Sequence, residues 1–297
     1  MQSKAYEHVT DRIIQSLKKG VVPWKKPWIS LKPQNISGRA YTGINRLLLA
    51  LNEYKYPIFL TMKQANDLGG RINKGEKSHL AVFWKIITVN AKNEDGEDTP
   101  KHIPYLRYYN VFNIEQTTLP LSVVKNADQI KSESECNGTE SVQKAKELVA
   151  SFRDVPSIEF NCEKACYIPA LDRIMLPHRH LFQSDEGFYT TEFHEFIHST
   201  GHPQRLNRKG IVELNFGSEE YSKEELIAEI GACFLCDLCG IAGNLDNSAA
   251  YIQGWMKALS DDPRMVVHAA GHAEKAVNFL TRQRETSGVL AAPRNGK

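Results

Sequence analysis

The sequence predicts an α+β protein of two domains, an N-terminal α+β module followed by a helix-rich C-terminal domain. Three observations carry that expectation. Short apolar runs between polar turns fill the first 120 residues, whereas longer stretches of helical periodicity fill the last third. Charge divides the same way: residues 1–120 hold 18 Lys and Arg against 10 Asp and Glu, or +8, and the rest hold 19 against 25, or −6. Between the halves, NADQIKSESECNGTE is polar and poor in aromatics, the composition of a linker. The expected boundaries are 1–125 for the first domain, 126–140 for the linker and 141–297 for the second.

In chain order, Tyr6, Val9, Ile13 and Leu17 recur at helical spacing, with Gly20 as the stop and Pro23 beyond it. From Trp24 to about Thr118 the pattern becomes strand-like. Ala81-Val82-Phe83-Trp84 and Ile86-Ile87-Thr88-Val89 precede the turn-rich Asn93-Glu94-Asp95-Gly96-Glu97-Asp98, which predicts a hairpin. Tyr105, Tyr108, Tyr109 and Phe112 alternate less cleanly and are expected as mixed core and surface. Beyond the linker, residues 141–152 are helical in pattern, short strand-like pieces reach Pro177, and 223–238, 249–259 and 269–282 read as helices. At 41% hydrophobic and 24% charged, the composition is that of a globular chain. No run approaches the ~18 apolar residues of a membrane helix and the N-terminus lacks a secretory core, so a cytoplasmic protein with no membrane partner is expected. In that setting the six cysteines are expected as thiols.

The segment Thr191-Glu192-Phe193-His194-Glu195-Phe196-Ile197-His198 carries the chemistry. On a helix, His194 and His198 share a face and can offer two imidazole nitrogens to one Zn²⁺, while Glu195 at the edge can act as general base toward water. The alternative is an amphipathic helix with solvent-facing histidines. A second helical segment, Lys223-Glu224-Glu225-Leu226-Ile227-Ala228-Glu229, offers carboxylates among apolar residues, and a charge there needs a partner. Glu229, deeper in the apolar run, is the expected third ligand, with Glu225 on the same face as the alternative. Three protein ligands leave a position open, the catalytic arrangement. The same donors accept Mn²⁺, Co²⁺ or Ni²⁺. His202 follows Gly201 and precedes Pro203, where the helix should have ended; His268 and His272 lack an intervening Glu; and Cys233, Cys236 and Cys239 read as a buried stripe of small residues rather than cluster ligands.

The basic half interleaves cations with rings and glycines: Trp24, Lys25, Lys26 and Trp28, then Arg39, Tyr41, Asn45 and Arg46, then Arg71, Lys74 and Lys77. Cations follow phosphates and rings stack on unpaired bases, so these residues are candidates for binding single-stranded DNA. The alternative is that the rings are core and the lysines a solvated face.

PWKKPW, SGRAYTGINRLLL, LTMKQANDLGGRINKGEKS, AVFW and YYNVFNIEQ resemble the N-terminal DNA-binding domain of ArdC-type antirestriction proteins and TraC-type plasmid primases. YIPALDRIMLP, YTTEFHEFIHSTGHPQRLNR and YSKEELIAEIGACFL resemble the zincin-like metallopeptidase domain that follows it in ArdC-type proteins. The resemblance runs from about residue 5 to 285. It implies a plasmid-encoded protein that binds single strands non-specifically and protects incoming conjugative DNA from host restriction. Two rivals stay open: a DNA-tethered zinc metalloprotease that cleaves a host protein, and a pure single-strand-binding protein with a structural metal site.

Overall fold

Helix α1 (Lys4–Lys18) buries Tyr6, Val9, Ile13 and Leu17 on one stripe, and Gly20, at φ +75°, ends it where the sequence expects. The structure is a computed structural model that describes residues 4–24, 32–52, 54–92, 98–125, 140–208, 211, 219–242 and 249–281. The expected linker lies outside these residues except for Glu140.

A four-stranded sheet of order β1-β2-β4-β3 organises the first domain: β1 (Gln34–Asn35), β2 (Ile58–Leu60), β3 (His79–Lys92) and β4 (Asp98–Asn113). The β3–β4 pair is the predicted hairpin, in antiparallel register from His79 opposite Val111 to Lys92 opposite Asp98. Helix α2 (Gly43–Ala50) clips onto its base through Asn45, whose amide donates to the Val82 carbonyl at 2.8 Å and accepts from the Val82 N–H at 2.7 Å. The short α3 (Met62–Asp67) opens with a capping box between Thr61 and Gln64.

In the second domain, α4 (Ser141–Ser151) precedes a small sheet of order β5-β7-β6, with strands Ser157–Glu159, Arg173–Met175 and Cys166–Ile168. Then come α5 (Asp185–Ser199), α6 (Glu219–Cys239), α7 (Ala249–Asp261) and α8 (Met265–Thr281). Helix α6 lies between α5 and α8, and α5 also rests on β6 and β7. Gly231 sets the approach of α5 to α6: a Cβ there would lie 2.7 Å from Ile197 Cδ1. Gly231→Ala should therefore lower the melting temperature. Relief of the helical glycine is worth about 1 kcal/mol, whereas overpacking of this kind costs roughly 1–3 kcal/mol. A thermal melt showing a gain would mean that Ile197 moves aside freely.

The two domains share one apolar interior. Tyr6, Val9, Ile13, Leu47, Val82 and Leu106 belong to the same buried cluster as Phe193, Leu226, Phe234, Trp255 and Val266. Polar ties cross it as well: Thr10 donates to the Pro263 carbonyl at 2.7 Å, and the Gly43 N–H donates to Glu274 at 3.1 Å.

This packing overturns three expectations about DNA contacts. Trp24 is 1% exposed and sets its ring edge-on to Trp255 at 5.9 Å, because the turn after α1 directs it into the core. Asn45 is consumed by the Val82 backbone. Arg46 is 4% exposed, paired with Asp237 at 2.8 Å and stacked on the Phe234 ring at 4.1 Å, which makes it a tie between domains. Tyr41 is half-buried against Phe59 and hydrogen-bonded to Tyr109, and burial raises its phenol well above the ordinary range. Arg39, Arg71, Lys74 and Lys77 are exposed, and Lys25, Lys26 and Trp28 lie outside the described residues.

Candidate metal centre

Ser184 starts the helix that carries the site: its hydroxyl accepts from the Gly187 N–H at 3.1 Å, and Asp185 and Glu186 complement the helix dipole in the first turn. Two turns on, His194 and His198 project from one face, with their Nε2 atoms 3.0 Å apart. Across the α5–α6 interface, Glu225 meets both, its oxygens 3.6 Å from His194 Nε2 and 3.5 Å from His198 Nε2. Among the described residues this is the one group of three or more His, Cys, Asp or Glu side chains close enough to share an ion, with ligand atoms within 4.8 Å of one another.

Glu225 thus occupies the place that the sequence assigned to Glu229. The two carboxylates share a face of α6 but stand four residues, about 6 Å, apart along its axis. The histidines meet the level of Glu225. Glu229 is buried farther along, near Tyr251 of α7, whose phenol its charge helps to raise. Depth in an apolar run gave no information about which turn of α6 faces α5.

A second layer holds the first. His198 Nδ1 lies 3.3 Å from Glu224, which Arg208 grips through Nε at 2.9 Å and Nη2 at 2.5 Å. Arg208 also donates to the Thr200 hydroxyl at 2.6 Å and to the Ile197 carbonyl at 2.8 Å, locking the end of α5. A carboxylate at Nδ1 fixes the ring with Nε2 directed at the site. The sequence reading missed Glu224 and Arg208 in this role; the adjacent pair Glu224-Glu225 was the available signal, since neighbouring residues on a helix face different partners.

Burial would lower the pKa of His198, but hydrogen bonds and charges from Glu224 and Glu225 outweigh it and raise it to about 10. Glu225 is held well below the ordinary carboxylate range: burial opposes this, and the two histidines overcome it. The pocket therefore favours positive charge at the point where two imidazole nitrogens and a carboxylate converge, and this donor set fits a divalent cation. Glu195, next to His194, is buried at the same site and interacts electrostatically with His198, Cys166 on edge strand β6, and Tyr221. Burial and the hydrogen-bonded Glu225 push the Tyr221 phenol up to about 12, so it keeps its proton.

The other metal-like motifs fall where the sequence expected. Helix α5 ends at Ser199, and His202 accepts the Gln204 N–H at 3.2 Å. His268 stacks on Tyr6 at 5.9 Å. Cys236 and Cys239 are buried thiols on α6, their pKa values raised to about 12 by desolvation. No helix among the described residues is long and apolar enough to cross a membrane.

Two family models match separate parts of the chain. Residues 3–112 match the N-terminal domain of anti-restriction factor ArdC, and residues 143–272 match a zincin-like metallopeptidase family. The metal-free crystal structure of the antirestriction ArdC protein from R388 plasmid is 37% identical, covers 93% of this chain and 96% of its own, and superimposes with a TM-score of 0.71. Its Mn(II)-bound structure is 36% identical over 93% of this chain and 97% of that one, with a TM-score of 0.70. DNA primase TraC of Escherichia coli is 35% identical over 289 residues, which cover 93% of this chain but 27% of the primase. The chain therefore spans about a quarter of the length of that relative.

Proposed function

Since the chain belongs to the ArdC-type antirestriction family, we propose that it binds single-stranded DNA and shields incoming conjugative DNA from host restriction in the cytoplasm. We assign its second domain a divalent metal centre held by His194, His198 and Glu225. The observation that carries the metal assignment is the convergence of two Nε2 atoms and one carboxylate beside a buried glutamate that is not a ligand. Zn²⁺ suits this donor set, and the Mn(II)-bound relative supports a divalent ion in general. The opposite charges of the two halves support the DNA reading, because the basic part can follow phosphates while the acidic part holds the metal centre.

The chemistry that a divalent ion supplies when bound is Lewis acidity toward a carbonyl and toward water. The chain's own groups do the rest. Glu195 takes a proton from the attacking water on a carboxylate oxygen and returns it to the departing amide nitrogen. Glu224 and Arg208 hold the His198 ring at a fixed angle, so a peptide carbonyl entering the site meets a preorganised centre. The Tyr221 phenol, protonated at neutral pH, is hydrogen-bonded to Glu225 and helps to hold that carboxylate toward the two histidines.

Glu195→Ala tests the relation between the two halves. The variant should keep its fold and one metal ion per chain, lose any peptide cleavage, and still protect a conjugating plasmid entering a restricting recipient when scored against a non-restricting one. Loss of protection with metal content and oligonucleotide affinity unchanged would move the function to a protein substrate cleaved in the recipient.

A further inference from the structure

We propose that the single strand lies along one face of the β3–β4 hairpin, the face formed by its odd-numbered residues. This rests on the single-strand reading above and gives it an address. In an antiparallel pair, residues directly opposite share a face and alternate residues change face. The register sets Phe83 opposite Arg107, Lys85 opposite Tyr105, Ile87 opposite Ile103 and Val89 opposite Lys101. Toward its base this face thus crosses rings with cations in two successive pairs, and Lys101 adds a third cation toward the tip. Its base joins Tyr109, whose ring meets Phe83 at 5.7 Å.

Three properties distinguish this face. First, it is accessible: Lys85, Lys101, Ile103 and Arg107 are exposed, and Phe83, Tyr105 and Tyr109 are half-exposed. Second, its cations are uncommitted, since Lys85, Lys101 and Arg107 have no ion pair among the described residues. Third, neither strand contains an Asp or Glu from His79 to Val89 or from Thr99 to Asn113, so nothing on the two strands there opposes a polyanion. Ala81 is buried, and from Phe83 to Val89 the open face runs about 20 Å, room for a few nucleotides. The exposed basic loop with Arg71, Lys74 and Lys77 leads into β3 at His79 and extends the positive track.

The even-numbered face differs. Trp84 lies edge-on to Tyr6 at 6.3 Å, Tyr108 lies against His8 at 5.1 Å, and Ile86 is 63% exposed, with no Lys or Arg among them. An edge lysine also discourages stray strand pairing, but that role requires neither the pairing of rings with cations nor its confinement to one side. A single polynucleotide needs both: cations for phosphates and π-faces for bases.

The test uses the full chain, a fluorescein-labelled oligothymidine and anisotropy at several salt concentrations. Lys85→Glu with Arg107→Glu should bind at least tenfold more weakly, and neutralising both as Gln should flatten the salt dependence by roughly 1.4 in log–log slope. Tyr105→Ala should lose about 5- to 150-fold, the range for one stacked base. Thr88→Glu puts a carboxylate on the even face of the same ribbon and should bind within twofold of wild type. Both pairs of substitutions fall on exposed side chains, and unchanged circular dichroism and melting temperature will confirm the fold. Wild-type affinity and slope in both the Glu and the Gln pair would overturn the hairpin assignment, as would an equal loss in Thr88→Glu. Failure of the wild-type chain to bind the oligonucleotide would remove the single-strand reading itself, and this address with it.

Discussion

Glu225→Ala is expected to abolish stoichiometric metal binding, while Glu229→Ala retains one ion per chain. Glu225 is the carboxylate that reaches both histidines, at 3.6 and 3.5 Å, whereas Glu229 lies one turn farther along α6, buried near Tyr251. Loss of a group that merely supports a ligand costs roughly 10- to 100-fold in metal affinity. Removing a ligand outright should cost more and should leave two histidines that cannot hold the ion against a mild chelator. Elemental analysis after dialysis against such a chelator reads the difference. Full metal in Glu225→Ala together with loss in Glu229→Ala would require α6 to rotate or slide by a turn, a different packing from the one that seats Gly231 on Ile197.

Trp24→Ala is expected to lower stability by roughly 3–5 kcal/mol, the cost of truncating a buried Trp to Ala. The side chain is 1% exposed and lies edge-on to Trp255, so the cavity would open at the seam between the domains. Because the buried cluster is continuous across that seam, the shift in urea midpoint should appear in probes of both halves together. The affinity of the folded variant for an oligonucleotide should stay near wild type. A surface stacking residue would show the opposite: little change in midpoint and a large loss of affinity. Arg46 belongs to the same seam, and its guanidinium is committed to Asp237 and Phe234.

How much was legible in the sequence depended on the distance over which the information acts. Local periodicity determined α1, the β3–β4 hairpin, α4 and the C-terminal helices, because helix and strand formation follow from which residues share a face. The spacing of His194, Glu195 and His198 was sufficient to put two nitrogens and a general base on one turn of helix. The family resemblance was likewise contained in long ordered motifs. Sequence alone could not choose between Glu225 and Glu229, since both satisfy the same helical periodicity. The choice was made by the level at which α5 meets α6, where Gly231 accommodates Ile197. Nor could it separate Trp24 and Arg46 from exposed aromatic and basic residues: composition records that rings and cations are present, and only packing shows which have been spent on each other. Likewise, the pairing of rings with cations on the hairpin emerges only when β3 and β4 are placed in register, because Phe83 and Arg107 are neighbours in space but 24 positions apart in the chain.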